Sequence, residues 1–202
     1  LLDIIANLQK PREQERKQAL DNIQKDNNLT WHFLHNLKSI NWFPTIKDNL
    51  IKSLIEQGVD TAVKYQLLDY FKLCAVQYSD EIIPLLVELE NNTKNPNILA
   101  DFIKTLAKLK PSKKENLNPV WRVLKILVEH QHPWVRKEIP DTLKALAEYD
   151  LDKSLRLLEK LFLFNPVPRN VTQGSPTLAL TFQGNDNENW VFEQAARVLS
   201  QL

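Results

Sequence analysis

The sequence predicts an all-α fold, a right-handed α-solenoid of about five stacked helical hairpins, and three observations predict it. Glycine is scarce: Gly58, Gly174 and Gly184 are the only three in 202 residues, all at segment edges or in a loop. Long helices suit that usage, and sheets with tight turns do not. Apolar residues recur at helical spacing along most of the chain. One two-helix pattern also returns at offsets of 35 and 37 residues, which is the mark of a stacked array.

The hairpins follow in order. Residues 1–8 and the series Arg16, Ala19, Leu20 and Ile23 after Pro11 make the first, and an extra helix over 30–38 interrupts strict periodicity. Residues 42–57 pair with 61–76. The run Ile83 to Leu89 pairs with a helix that opens at Pro96, so Val63, Leu67 and Phe71 fall 35 residues before Ile98, Phe102 and Leu106. The clearest unit joins a helix over 118–130 to one that opens at Pro133 and runs to about Tyr149, with Val135, Ile139 and Leu143 standing 37 residues after the Ile98 set. Proline suits a first helical turn because its missing N–H has no partner there in any case. Pro140, inside the second helix, is expected to kink it. The last unit is split: residues 152–164 form its first helix, and Trp190, Val191, Ala195 and Leu199 repeat Trp134, Val135, Ile139 and Leu143 at an offset of 56. Residues 165–189 between them, with three prolines and two glycines, read as an inserted loop in a single repeat domain over 1–202.

Composition sets the class. An apolar content of 43% supplies a core, and a lone Cys74 forms no intrachain disulfide, so a reducing compartment, the cytoplasm, is expected. No stretch has the roughly 18 apolar residues that a membrane span needs. Methionine is absent even at position 1, which points to a segment of a longer chain or to modified residues left out of the sequence.

The hairpins resemble HEAT repeats, whose second helix opens with a Val-Arg pair after an acidic or Pro-containing turn. Pro133-Trp134-Val135-Arg136 carries the resemblance best, with echoes in Arg16-x-x-Ala19-Leu20 and Ala195-Ala196-Arg197-Val198-Leu199. It implies a long concave face lined by the second helices, suited to a macromolecular partner. Trp42-Phe43-Pro44 also resembles a helix start in large bacterial signal-transducing NTPases, which gives a regulatory segment as an alternative. HEAT-like DNA glycosylases use concave-face tryptophans with an aspartate. By that resemblance Trp134, Arg136 and Asp141 would form such a set, but a net charge of +1 disfavours nucleic acid. Trp134 and Trp190, at equivalent positions, are instead expected to staple their hairpins by packing.

Charge is uneven along the array. Residues 56–90 hold seven acids against two bases, and 104–144 hold ten bases against four acids. The predicted partner-binding zone is therefore Lys104, Lys108, Lys113, Lys114, Arg122, Arg136, Lys137 and Lys144, facing an acidic protein surface. The competing reading is that these are solvated outer helix faces. No catalytic residue, metal or cofactor is expected. Nucleophile elbows, phosphate-binding loops and His-Glu-x-x-His are absent, Cys74 reads as a core thiol, and the pairs His32/His35 and His130/His132 have no cysteine nearby. The function read from these features is protein–protein interaction without catalysis.

Overall fold

The structure, a computed structural model, describes residues 18–19, 21–23, 25–58, 60–164 and 184–202. All regular structure among the described residues is helical, with no strand. None of the described helices is long and apolar enough to cross a membrane. The first helix of the first expected hairpin, residues 1–8, and residues 165–183 of the expected loop lie outside the described residues. Contacts divide the chain into two compact units, residues 1–94 with 108–112 and residues 95–107 with 113–202.

In the first unit, α1 (Asn27–Asn36) starts where the Asp26 carboxylate accepts the N–H groups of Asn28 at 2.8 Å and Leu29 at 3.1 Å, satisfying two of the four orphan donors of the first turn. Pro44 lies in the first turn of α2 (Phe43–Ile46), which passes through a π-helical turn, Lys47–Ile51, into α3 (Lys52–Gln57). Gly58 ends α3 in the left-handed region at φ 72°, where a side chain would be strained. The Asp60 side chain then caps α4 (Thr61–Asn91) by accepting from Val63 N at 2.9 Å.

No loop separates the two helices expected over 61–76 and 83–89. They run on as α4, which is bent at Tyr78 (φ −120°, ψ 29°) upstream of Pro84. Proline in a helix interior removes one backbone hydrogen bond and crowds the preceding turn, which accounts for a bend without a break. The bend is filled by polar contacts: Ser79 Oγ accepts from Lys110 N at 2.6 Å and itself donates to the Ala75 carbonyl, and Asp80 accepts from Ser112 Oγ at 2.5 Å. α1 and α3 pack on α4. The core comprises Phe43, Ile46, Leu50, Leu67, Phe71, Cys74 and Leu86, all fully buried.

In the second unit, Asn95 caps α5 (Pro96–Leu106), a 3₁₀ turn (Lys114–Leu117) leads into α6 (Asn118–Leu127), and His132 caps α7 (Pro133–Lys137). At the expected kink the helix breaks for the single residue Glu138, whose backbone stays in the helical region (φ −83°, ψ −12°), and α8 (Ile139–Leu146) follows with Pro140 in its first turn. Asp150 caps α9 (Leu151–Leu163), and α10 (Gly184–Leu199) follows. Residues 184–189, read as the end of an inserted loop, are therefore helical.

Packing in this unit follows the repeat. α5 packs on α7 and α8, these pack on α10, and α9 packs on α6, α8 and α10. The positions that recur at 37 residues are its core, since Ile98, Phe102, Leu106, Val135, Ile139 and Leu143 are all buried. Each such side chain contributes about 1.5–3 kcal/mol on burial. Two hydroxyls stitch the layers: Thr142 Oγ1 donates to the Ile103 carbonyl at 2.9 Å and Ser154 Oγ to the Leu143 carbonyl at 3.0 Å. The offset of 56 holds for Val191 and Ala195, which are buried, but Leu199 is exposed and Val198 takes the interior place.

Candidate functional site

The predicted basic zone draws on both units, with Lys108 in the first and the other seven residues in the second. Lys108 belongs to the first unit, while Lys113 and Lys114 lie exposed at the 3₁₀ turn of the second. Arg122 is exposed on α6, whose main helical neighbour is α9. Lys104, Arg136, Lys137 and Lys144 share the layer made by α5, α7, α8 and α10.

Arg136 corrects the expectation outright. It is 1% exposed, its guanidinium donates to the His130 carbonyl, and its Cζ lies 5.0 Å from the centroid of the Phe164 ring. It packs as a structural cation under the 130–132 turn and presents no charge to a partner. The count of bases over 104–144 placed it among the surface cations, but Arg136 and its neighbour Val135 both turn inward, where α7 packs on α5 and α10.

The remaining cations of the layer bridge successive helices. Lys104 on α5 pairs with Glu138 at 3.4 Å, Lys144 on α8 donates to Gln201 Oε1 at 2.8 Å, and Arg197 on α10 donates to Asp141 at 2.6 Å. Exposed pairs of this kind contribute about 0–1 kcal/mol each, so they register the helices more than they stabilise them. Lys137 differs: its ammonium sits 5.0 Å from the Trp134 centroid and 5.2 Å from that of Trp190.

The Trp134 and Trp190 rings meet edge to face at 6.1 Å, packing on each other as expected, while Trp134 stays 40% and Trp190 43% exposed. The offset of 56 correctly made them equivalent, but an offset reports register and says nothing of depth. Protein-family models, curated proteins and solved structures give no match to this chain.

The other candidate groups are engaged in the fold. His130 Nδ1 accepts from His132 N at 3.0 Å, and His132 Nδ1 accepts from Trp134 N at 3.3 Å, so both serve the turn that starts α7. His35 stacks on Trp31 at 4.7 Å and meets Gln66 at 3.3 Å, and His32 lies edge-on to the same ring. Among the described residues no three His, Cys, Asp or Glu side chains are grouped to hold a metal ion. Cys74 is buried, and that burial pushes its thiol up to about 11, partly opposed by a hydrogen bond with Tyr70, whose own phenol is raised by burial. A thiol so placed is a poor nucleophile near neutral pH.

The acidic stretch is similarly occupied: Asp60 caps α4, Asp69 pairs with Lys72 at 3.1 Å, Glu81 pairs with Lys47, and Asp80 holds Ser112. In the second unit an open depression of about 400 Å³ is lined by Glu129, Arg156, Glu159, Lys160, Leu163 and Phe164. Lys160 pairs with Glu129 at 2.9 Å and donates to the Lys125 carbonyl at 3.1 Å, so these charges brace α9 against α6.

Proposed function

We propose that the chain is a non-catalytic protein-interaction or scaffold module, an α-solenoid of HEAT-like hairpins that binds a macromolecular partner on the layer made by α5, α7, α8 and α10. The observation that carries this reading is the serial packing of those helices through positions spaced 37 residues apart, because an array built by nearest-neighbour stacking offers a continuous face wide enough for a large partner. The chemistry of that face supports recognition: it combines exposed indoles with cations, residue types enriched at the energetic centres of protein interfaces. The test is capture from the source cell by the immobilised chain and by its Lys104→Glu, Lys144→Glu double variant. The reading expects a protein bound by the first and lost or weakened by the second. Equal retention by both, or a salt-dependent shift of duplex DNA with no protein bound, overturns it, the latter in favour of the nucleic-acid alternative.

A further inference from the structure

Among the cations of the α5–α7/α8–α10 layer, Lys104, Lys144 and Arg197 each meet a side-chain oxygen, and Arg136 is buried against a carbonyl. No carboxylate or amide oxygen among the described residues stands at hydrogen-bonding distance from Lys137; its ammonium faces the two indole rings. Trp134 and Trp190 meet at an interplanar angle of 70° and leave about two fifths of each side chain open, so the three residues form a notch with apolar walls and a positive charge between them.

The hydrogen-bonding groups of this notch are all donors. An indole N–H donates and accepts nothing, and an ammonium likewise. Its complement is an acceptor of negative charge carried on an apolar body. We propose that Trp134, Trp190 and Lys137 form a docking notch for a protein segment bearing one carboxylate flanked by aromatic or proline side chains, a proposal that rests on the protein-interaction reading above. The carboxylate meets Lys137 and the flanking side chains cover the exposed indole faces. A single carboxylate fits better than a nucleic acid, because the same helices carry Glu138, Asp141 and Glu193. A chain with a phosphate at every nucleotide would meet those acids and gain few released counterions from one cation.

The test follows the five indole N–H signals of the full ¹⁵N-labelled chain by two-dimensional NMR. The probes are an acetylated, amidated Ser-Phe-Glu-Pro-Phe-Ser peptide, its glutamine counterpart and oligothymidylate. The proposal expects the glutamate peptide to move the Trp134 and Trp190 signals and leave those of Trp31, Trp42 and Trp121 in place. The glutamine peptide should bind at least about tenfold more weakly, and Lys137→Gln should lower affinity for the glutamate peptide by a similar factor, the reach of one charge-assisted contact. Because truncating Trp134 removes packing between α7 and α10, the weight rests on Lys137→Gln, whose unchanged signal dispersion reports an intact fold. Equal shifts from both peptides, indifference to Lys137→Gln, no shift at all, or tighter binding of oligothymidylate overturns the proposal. If the peptides fail while capture still depends on Lys104 and Lys144, the notch alone is wrong; if capture is also indifferent to those residues, the broader reading falls with it.

Discussion

Proline is placed differently in α4 of the first unit and in the helices of the second. In the second, Pro96, Pro119, Pro133 and Pro140 all stand in first turns, and Asn95 and His132 supply caps immediately before two of them. In the first, Pro84 lies deep inside α4, preceded by Glu81, Ile82 and Ile83, with no capping side chain at that point. The contrast teaches that the place of a proline decides its effect. In a first turn, where its missing N–H has no partner, it suits a helix start with or without a capping side chain, as Pro119 and Pro140 show without one. In a helix interior it goes with a bend. At Pro84 the chain stays helical and bends, and its apolar face stays continuous, as the burial of Ile82, Ile83 and Leu86 in the same helix as Phe71 and Cys74 attests.

The sharpest way to break this comparison is in the second unit's core. Leu143 and Leu199 are equivalent by sequence offset, but Leu143 is fully buried and Leu199 is 41% exposed. Leu143→Ala is expected to cost about 2–5 kcal/mol in urea-induced unfolding, and Leu199→Ala less than about 0.5 kcal/mol. Equal losses at the two sites would mean that the offset of 56 preserves depth as well as register.

Ser79→Ala tests the bend of the first unit. It removes the acceptor of Lys110 N at a buried position, and the expected loss is about 1–3 kcal/mol by the same measurement. A neutral result would mean that the bend owes nothing to the 108–112 segment.

Next in size is the cap of α9. Asp150→Ala should cost about 1 kcal/mol, since the carboxylate accepts from Lys153 N at 3.0 Å. The backbone hydrogen bond from Lys153, with its side chain, holds the Asp150 carboxyl below the usual carboxylate range. A lowered native pKa stabilises the fold above the unfolded-state value and loses that contribution as pH falls through the native one, so the gap between wild type and variant should close in acid. A gap independent of pH would contradict the cap.

The smallest effect concerns Glu90, whose carboxyl is raised by burial. A raised carboxyl opposes folding when ionised, and this cost declines as pH falls through its native pKa and is gone below the unfolded-state value. Glu90→Gln should therefore raise stability slightly at neutral pH and leave it unchanged in acid, as read from urea midpoints at the two pH values.

How much of this was legible in the sequence differs by feature. The helical class, the helix starts at Pro96 and Pro133 and the core positions from Ile98 to Leu143 follow from local chemistry and period, and the structure has them. The union of 61–76 with 83–89 was hidden because a bent helix and two helices leave the same apolar pattern. The candidate site was read less well. Charge counts along the chain do not reveal that Arg136 turns inward or that Lys104 is matched with Glu138, since both depend on which helices pack together. The Trp134–Lys137–Trp190 notch joins residues more than fifty positions apart, and spacing alone cannot say which face of α10 is covered.

The most direct test of the central claim is a scan with a photo-crosslinking amino acid in the source cell. It would be placed singly at Lys104, Lys144 and Glu193 on α5, α8 and α10, and at Arg122 and Glu159 on α6 and α9. The account predicts adducts with a protein partner from the first three sites and none from the last two. Adducts confined to Arg122 and Glu159 would contradict it.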